Sequence, residues 1–313
     1  MAPRVAFSMC SRENVAGGPR KPCAFPAVNP RFQRGLELAP GPCMLVPHVD
    51  TLRARPGADD PRDPIFHDEG YGYDLFGLHP PTAVRTLRAV MPWYRRYFGV
   101  ESRGVENVPM HGGAILVANH GGMLPIDAAM LWADVLHRTE RFLRPIADRF
   151  IPNIPFASAT LARAGVVSGT HANVKYLLER GELLAIFPEG VSGPAKPFRD
   201  RYKLQQWRVG HAELAIRYQV PVVPVAIIGA EESWPMLLRL PFGLFGAPYI
   251  PIPMTPLPLP VRWSIHYGRP IELHHRYTAS SADDPRQVAA AAAETHEAVA
   301  CLIERGLAER RRP

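Results

Sequence analysis

The stretch ILVANHGGMLPIDAAML, residues 115–131, contains the pattern that decides the fold of this 313-residue chain. Its first residues, together with Ala114, form a short apolar run that is typical of a strand buried on both faces. The run leads directly into Asn119 and His120, and two glycines follow. Pro125 then begins a segment with helical periodicity, as proline often does at the first helical position. A buried strand, a polar loop and a helix in this order predict an α/β fold.

Further buried strands alternate with helical segments on both sides of this stretch. The predicted helices cover residues 80–98, 125–138, 170–181, 204–218 and 284–310, and the longest predicted strands cover 114–118, 183–187 and 220–230. This alternation is typical of βαβ units, in which the strands run parallel. We therefore predict a single α/β catalytic domain, residues 69–313, with a largely parallel central sheet flanked by helices. An amphipathic helix precedes the sheet in this prediction.

The first part of the chain, residues 1–68, differs in composition from the rest. It is rich in proline, glycine and arginine and shows no sustained period of 2 or 3.6 residues. The segment RARPGADDPRDP, 53–64, is dense in residues that interrupt regular structure. We therefore expect residues 1–68 to be a poorly ordered head.

The chain carries a net charge of +7, which favours anionic partners such as nucleic acid, anionic lipid surfaces or phosphorylated cofactors. Its arginines are dispersed, and no recognised motif interleaves them with aromatic residues, so nucleic acid is not an expected partner. The predicted helix 80–98 has one apolar stripe, arginines mostly off that stripe, and Trp93 and Tyr94 near its end. Such a helix can pack on its own domain or lie in a membrane interface.

The stretch 234–261 is apolar but contains eight prolines, so it cannot form one helix. It is interpreted either as a hydrophobic lid or membrane-facing loop, or as a rim of core packing. No apolar run reaches the roughly 18 uninterrupted residues that a spanning helix needs, and the N-terminus lacks the apolar segment of a secretory signal. These features predict a cytoplasmic protein that is peripheral on the inner face of a membrane.

Polar residues follow two of the predicted strands, at the end where ligands bind in α/β sheets. The first cluster contains Asn119 and His120, and the second is the Pro-Glu-Gly sequence at 188–190. Asp127, near the start of the next helix, can bond one imidazole nitrogen of His120 and leave the other nitrogen to accept a proton. The pair predicts a general base that activates a hydroxyl group of a bound substrate.

A second histidine and a metal site are the alternatives at this point. The sequence HGG occurs twice, with its histidine at 111 and at 120. His111 precedes the strand, and five strand residues span roughly 17 Å, so His111 is expected at the opposite end of the strand. His120, Asp127 and Glu189 are suitable ligand types for a metal ion, but no second histidine has ligand spacing, so no metal is expected.

Three blocks of sequence, in order over roughly residues 95–275, resemble the glycerolipid acyltransferase superfamily, the PlsC-like lysophospholipid acyltransferases. The blocks are Asn119-His120 with Asp127, then Phe187-Pro188-Glu189-Gly190, and then VPVVPVAIIG at 220–229. The resemblance implies that His120, paired with Asp127, deprotonates an acceptor hydroxyl, which attacks an acyl thioester of coenzyme A or acyl carrier protein. It implies no cofactor beyond this co-substrate, and it implies that the Pro-Glu-Gly block helps to hold the acceptor.

The chain departs from the superfamily pattern in three places. Six residues separate His120 from Asp127 instead of four. On a continuous helix these seven steps would span about 10.5 Å, so residues 121–124 must form a loop that folds the histidine back over the helix start. Glu-Gly-Val-Ser at 189–192 stands where phosphate-handling relatives have Glu-Gly-Thr-Arg, and the intervening block 164–174 contains no arginine. The last two departures disfavour a phosphate-bearing acceptor.

Residues 193–215 resemble the branch that contains mono- and diacylglycerol acyltransferase-like proteins and their bacterial relatives, in which the acceptor is often a neutral alcohol. Basic residues in this segment are expected either to bind phosphate groups of the acyl donor or to form a solvated helix start. The candidate substrate-binding residues are Asn119, Gly121, Gly122, Pro188, Glu189, Gly190, Ser192, Lys196, Arg201 and Lys203.

Several functions remain open from the sequence. The first is a membrane-associated O-acyltransferase that moves a fatty acyl group from a thioester donor to a lipid hydroxyl, on a neutral alcohol or on lysophosphatidate in phospholipid synthesis. The second is a non-catalytic lipid-binding relative, and the third is a hydrolase that uses His120 with water.

Overall fold

A seven-stranded sheet with helices on both faces forms the centre of the computed structural model. The structure describes residues 66, 68–122, 124–148, 151, 157–240 and 249–311, so nearly all of the predicted head, 1–68, lies outside the described residues. The strands are β1 (Glu101–Arg103), β2 (Ala114–Ala118), β3 (Leu143–Ala147), β4 (Val167–Ser168), β5 (Leu183–Ile186), β6 (Val222–Ile228), β7 (Met236–Leu240), β8 (Ile250–Pro253) and β9 (Ser264–Tyr267). The helices are α1 (Pro80–Pro92), α2 (Ile126–Thr139), α3 (Ala157–Arg163), α4 (His171–Glu179), α5 (Gly210–Arg217), α6 (Ala230–Ser233) and α7 (Pro285–Arg310).

Five strands of the central sheet run parallel, and two strands at one edge run the opposite way. The order is β1-β9-β6-β2-β5-β3-β4. The strand β2 lies between β5 and β6 and is parallel to both, whereas β9 pairs antiparallel with β6 and parallel with β1. After β6 the chain forms the separate ribbon of β7 and β8 and returns as β9. The prediction of a largely parallel α/β sheet flanked by helices is therefore confirmed.

The central strand β2 is buried on both faces, which explains its uninterrupted apolar sequence. Ala114, Leu116 and Ala118 belong to the core that includes side chains of α1 and α2. Ile115 and Val117 belong to the core that includes side chains of α4, α5 and α7. Because successive side chains point to opposite faces of a sheet, a strand covered on both sides needs an apolar residue at every position.

The predicted helix 80–98 is regular only in its first part. The helix α1 ends at Pro92, and Trp93–Tyr97 form a π-helical turn. Pro92 has no N–H to donate to the preceding turn, so the regular hydrogen-bond pattern is interrupted at that point. The turn leaves Trp93 exposed while Tyr94 is buried.

The predicted helix 204–218 begins later than expected, at Gly210. The preceding residues 203–208 have no regular secondary structure, and two of their N–H groups donate to the Pro-Glu-Gly turn. The N–H of Gln205 donates to Glu189 Oε2 at 3.0 Å, and the N–H of Arg208 donates to Pro188 O at 3.1 Å. These tertiary bonds replace the intrahelical bonds that the local pattern predicted, and they attach the segment to the Pro-Glu-Gly turn.

The apolar stretch 234–261 is built largely around a two-stranded ribbon. The strands β7 and β8 pair antiparallel, and residues 241–248 between them lie outside the described residues. Among the helices of the described part of the chain, none combines the length and the apolar content needed to span a membrane.

Candidate active site

His120 and Asp127 form a hydrogen-bonded pair at the carboxyl end of β2. The distance between His120 Nδ1 and Asp127 Oδ2 is 2.7 Å. Asp127 is the second residue of α2, and the chain between β2 and α2 turns back so that the imidazole lies over the helix start. The loop that the seven-residue spacing required is therefore present, and the pair is within direct contact despite the wider spacing.

Asp127 is fully buried, and both of its carboxylate oxygens accept hydrogen bonds. Oδ2 accepts from the imidazole of His120 and from the N–H of Gly121 at 2.9 Å, and Oδ1 accepts from the N–H of Ala128 at 2.8 Å. The first N–H groups of a helix have no intrahelical partner, and the Asp127 carboxylate accepts from one such group of α2. Because Nδ1 faces a carboxylate, it carries the ring proton and leaves the lone pair on Nε2.

The surroundings of His120 shift its protonation equilibrium. Burial lowers the pKa of the imidazole, but the charge and hydrogen bond of Asp127, with the charge of Glu189, outweigh burial and the opposing charge of Lys196. The pKa of His120 therefore lies above its ordinary value of 6.5. The side chain keeps 14% of its surface exposed, so the imidazole is not completely enclosed by protein.

Glu189 is a buried link between three parts of the site. Its Oε1 accepts from the main-chain N–H of His120 at 3.0 Å, and its Oε2 accepts from the N–H of Gln205 at 3.0 Å. The ammonium of Lys196 lies 3.4 Å from Oε2. The carboxylate is thus occupied by protein groups, and its direct effect is to fix the position of the His120 backbone.

Lys196 was predicted to bind substrate, with a phosphate of the acyl donor as one candidate, and this geometry does not support that role. Its side chain is only 4% exposed and lies between two carboxylates, with Nζ 2.9 Å from Glu231 Oε1 and 3.4 Å from Glu189 Oε2. Nζ also donates to the carbonyl of Lys203 at 3.3 Å. A buried ammonium must be paired with charges and hydrogen bonds, and here the protein itself supplies them.

Asn119, also a predicted substrate ligand, connects two strands instead. The residue is buried, its Nδ2 donates to Ile227 O at 3.0 Å, and the N–H of Ile227 donates to its Oδ1 at 2.8 Å. The side-chain amide therefore extends the pairing of β2 with β6 by one step. This contact fixes the point at which the chain leaves the sheet, and so the position of the next residue, His120.

Three glycines bring the backbone close enough to build the site. A Cβ at Gly121 would lie 2.2 Å from Glu231 Cγ, and Gly122 has a left-handed φ of 88°. A Cβ at Gly193 would lie 2.7 Å from the carbonyl oxygen of His120 and 2.9 Å from its Cβ. Gly121 and Gly122 are predicted site residues that the structure places beside His120, whereas Gly193 was not recognised in the sequence.

The remaining predicted residues surround the Pro-Glu-Gly turn with different exposures. Pro188 is buried, and Gly190 adopts a left-handed φ of 53°. Ser192 donates to the carbonyl of Glu189 within the turn. Arg201 is exposed with its guanidinium over the ring of Phe198, and the exposed Lys203 pairs with Asp200 at 2.8 Å. The last two remain available to solvent and to anionic groups.

Arg208 is a residue of the site that the sequence pattern did not reveal. Its guanidinium carbon would lie 3.3 Å from a Cβ built on Gly190, so the cation covers the Pro-Glu-Gly turn. The side chain is 68% exposed, and its ion-pair partner is Asp148 at 3.4 Å. No local signal identifies it, because tertiary contacts of the segment 203–208, which has no regular secondary structure, bring it there.

A small cleft adjoins the His–Asp pair. Its lining includes Gly122, Gly193, Phe198, Trp234 and Met236. The space has room for about one water molecule, about 10 Å³. A fatty acyl chain does not fit inside a space of this size.

The group of possible metal ligands in the described part of the chain does not include His120, Asp127 or Glu189. Among the described residues, the group with ligand atoms close enough for a metal ion is Glu272, His274 and His275, which follows β9. His111, the competing histidine, is exposed at the other end of β2 and takes no part in the pair.

Comparisons with known proteins identify a matching family and several relatives. The family described as Acyltransferase matches residues 99–228. An uncharacterized protein of Mycobacterium tuberculosis is 38% identical over 255 residues, which cover 77% of this chain and 71% of that protein. A DGAT1/2-independent enzyme synthesizing storage lipids from Bos taurus is 29% identical over 251 residues, 77% of this chain and 72% of that enzyme. The crystal structure of the 1-acyl-sn-glycerophosphate (LPA) acyltransferase PlsC from Thermotoga maritima covers 74% of this chain and 82% of its own, with 19% identity and a TM-score of 0.48.

Proposed function

Because the chain belongs to the PlsC-like glycerolipid acyltransferase superfamily, we propose that it moves a fatty acyl group from a thioester donor to a lipid hydroxyl, with His120 as general base. The observation that carries this proposal is the 2.7 Å bond between His120 Nδ1 and Asp127 Oδ2 beside an open cleft. The bond orients the ring and leaves Nε2 to accept a proton. The donor is acyl-CoA or acyl-acyl carrier protein, and no other cofactor is needed for this chemistry.

The reaction proceeds in two proton transfers at Nε2 of His120. The acceptor hydroxyl gives its proton to Nε2 while its oxygen attacks the thioester carbonyl. The tetrahedral intermediate then collapses, the carbon–sulfur bond breaks, and the departing sulfur takes the proton from the imidazolium. Asp127 stabilises the imidazolium between the two steps. The products are an ester and a free thiol, and the enzyme returns to its starting state.

Direct transfer fits this site better than a covalent acyl-enzyme. The hydrogen-bond partners of His120 are Asp127, through the ring, and Glu189, through the main chain. In the described part of the chain, no serine or cysteine side chain bonds to the imidazole, and a covalent mechanism would need such a nucleophile next to the base. The acceptor oxygen itself is therefore the nucleophile.

The charges around the cleft favour a neutral acceptor such as a mono- or diacylglycerol. The ammonium of Lys196 is neutralised by Glu189 and Glu231, and Ser192 stands where a phosphate-binding arginine occurs in phosphate-handling relatives. The relative from Bos taurus is described as an enzyme synthesizing storage lipids, which is consistent with a neutral glycerolipid product. Lysophosphatidate is the second candidate, because Arg208 supplies one exposed cation beside Gly190.

An acceptor screen tests the proposal. Purified protein receives labelled acyl-CoA with monoacylglycerol, diacylglycerol, a long-chain alcohol or lysophosphatidate, and the labelled esters are quantified. We expect ester formation with a neutral acceptor and its loss in His120→Ala. His111→Ala is the matched control, since it changes the histidine of the other HGG sequence and should remain active.

Other outcomes of the screen separate the alternatives. Free fatty acid released at full rate without acceptor would identify a hydrolase. Vesicle binding without any product would identify a non-catalytic lipid-binding relative. A strong preference for lysophosphatidate would overturn the neutral acceptor. In this proposal the enzyme acts as a peripheral protein on the cytoplasmic face of a membrane, where its lipid acceptor lies.

A further inference from the structure

Large apolar side chains are exposed together next to the cleft, on what we name the apolar face. Its members are Trp93, Leu237, Leu238, Met254, Leu257 and Leu259, each between 41% and 68% exposed. Single exposed apolar residues are common on protein surfaces, whereas a group of six large ones marks an interaction site.

Contacts connect Trp93 to the segment that carries Leu257 and Leu259. The ring of Trp93 packs on Tyr97 with centroids 4.9 Å apart, and the Tyr97 hydroxyl donates to Pro258 O at 2.6 Å. Pro258 lies between Leu257 and Leu259 in the chain. The π-helical turn after α1 and the segment after β8 therefore contribute to the same surface.

The apolar face is continuous with the mouth of the cleft. The N–H of Leu259 donates to Ser233 O at 2.6 Å, and the N–H of Met254 donates to Pro235 O at 2.9 Å. Pro235 and Met236 line the cleft next to Gly193, which touches His120. A molecule that covers the apolar face would thus lie directly beside the cleft.

The charge around the apolar face identifies its partner as anionic. The two segments that contribute the face, 80–100 and 234–262, contain six arginines and no aspartate or glutamate, in a chain with 29 acidic residues. Arg95 and Arg96 are exposed beside Trp93. Apolar and aromatic side chains next to cations are the combination that binds at the interface of an anionic bilayer.

The outer edge of β8 opposes pairing with a strand of another protein. The N–H of Met254 points towards the neighbouring strand, since it bonds to Pro235. Because this direction alternates along an antiparallel strand, the positions of Pro251 and Pro253 face away from β7. Proline has no N–H, so the outer edge of β8 offers no donors at these positions.

We propose that the apolar face docks the protein on an anionic phospholipid bilayer and places the mouth of the cleft at the membrane surface. This inference rests on the proposed function, and it explains how a lipid reacts at a cleft with room for about one water molecule. The hydroxyl of the acceptor reaches Nε2 of His120 while the acyl chains remain in the bilayer.

Vesicle sedimentation with the full chain tests the docking surface. Leu238→Glu and Leu257→Glu place a charge on the apolar face, and Met110→Glu is the control, with a side chain 57% exposed just before β2. Each glutamate on the face should weaken binding to vesicles of phosphatidylcholine and phosphatidylglycerol at least tenfold, and Met110→Glu should bind as wild type. Thermal unfolding confirms that the variants are folded, as their exposed positions predict.

A further variant and further measurements complete the test. Arg96→Ala, and pure phosphatidylcholine vesicles, should each weaken binding. The docking proposal would be overturned if Leu238→Glu and Leu257→Glu bound vesicles as well as wild type does. It would also be overturned if light scattering showed that the wild-type protein is a dimer, and if these substitutions dissociated the dimer without changing vesicle binding. The proposed function is judged separately: His120→Ala should bind vesicles normally and form no ester, whereas the leucine variants should still acylate a water-soluble short-chain alcohol.

Discussion

Asparagine at position 127 would keep the shape of the side chain but remove its charge and half of its acceptor capacity. In the structure, Oδ2 of Asp127 accepts from His120 Nδ1 and from the N–H of Gly121, and Oδ1 accepts from the N–H of Ala128. If the amide nitrogen takes the Oδ2 position, it opposes the Gly121 donor and forces the imidazole proton onto Nε2. If it takes the Oδ1 position, it opposes the Ala128 donor and leaves a buried group unpaired.

The rate should fall steeply in Asp127→Asn. A histidine with its proton on Nε2 cannot accept the proton of the acceptor, and the imidazolium loses its stabilising charge. We expect kcat/KM to fall roughly 10³- to 10⁴-fold, the size of effect that a wrong imidazole tautomer has in catalytic His–Asp pairs. The measurement is initial acyl transfer from labelled acyl-CoA, with substrate concentrations varied to separate kcat from KM.

The pH dependence of kcat/KM gives a second test. It would not change in Asp127→Asn if Asp127 had only a structural role. In wild type, kcat/KM should rise with pH through a pKa above 6.5, because His120 acts in its neutral form and its pKa is raised. Without the carboxylate, burial dominates and the residual activity should titrate at lower pH. Protonated His120 stabilises the wild-type fold below pH 6.5, and this contribution is lost as pH rises through the raised pKa. The difference in unfolding free energy between wild type and Asp127→Asn should therefore be larger at pH 6 than at pH 9.

Asp134→Asn is the matched control. Asp134 is another fully buried aspartate of α2, but it accepts from Tyr94, Ser102, Tyr267 and Arg138 and has no contact with His120. This variant should lower the melting temperature and leave the pH dependence of kcat/KM as in wild type. If Asp127→Asn has the wild-type rate and the wild-type pH dependence of kcat/KM, the His–Asp mechanism is refuted.

Further substitutions test the supporting residues. Gly193→Ala should lower kcat about 10- to 100-fold, because the added Cβ would lie 2.7 Å from the carbonyl oxygen of His120. Gly210→Ala is the control, since a Cβ there has no atom within 4 Å. It should stay active, and its unfolding free energy should lie within about 0.5 kcal/mol of wild type. Lys196→Met should reduce the free energy of unfolding by about 3–5 kcal/mol in urea titrations, because it leaves two buried carboxylates without their cation. Lys203 is the control. Its side chain is 70% exposed, and Lys203→Met should reduce the free energy of unfolding by about 0–1 kcal/mol. Arg208→Ala should raise KM for a phosphate-bearing substrate about tenfold with little change in kcat, and an unchanged KM would exclude a phosphate contact.

The elements that the sequence predicts correctly are those in which one local pattern agrees with burial. The run 114–118 is apolar throughout because helices cover both faces of β2, and the runs that form β5 and β6 follow the same rule. The late start of α5 at Gly210 has no local signal. It depends on hydrogen bonds that Gln205 and Arg208 donate to the Pro-Glu-Gly turn, which lies 15 or more residues earlier in the chain. The reversed direction of β9 is equally invisible in its own four residues.

Individual site residues follow the same division. The pairing of His120 with Asp127 could be predicted because both lie at the ends of recognisable elements and a glycine loop joins them. The occupation of Lys196 could not, because a lysine looks the same in a sequence whether its ammonium meets solvent or two carboxylates. Arg208 was missed for the complementary reason, since its nearness to Gly190 exists only after the chain has folded.

The reversed edge of the sheet has a consequence during synthesis of the chain. Glu101 pairs with Ser264, and β9 alone separates β6 from β1. A nascent chain that has emerged only as far as β8 therefore presents the valine- and isoleucine-rich strand β6 with an open edge, which is a template for aggregation. The last fifty residues are not a dispensable tail, and shortening the gene before β9 would produce inclusion bodies rather than a minimal enzyme.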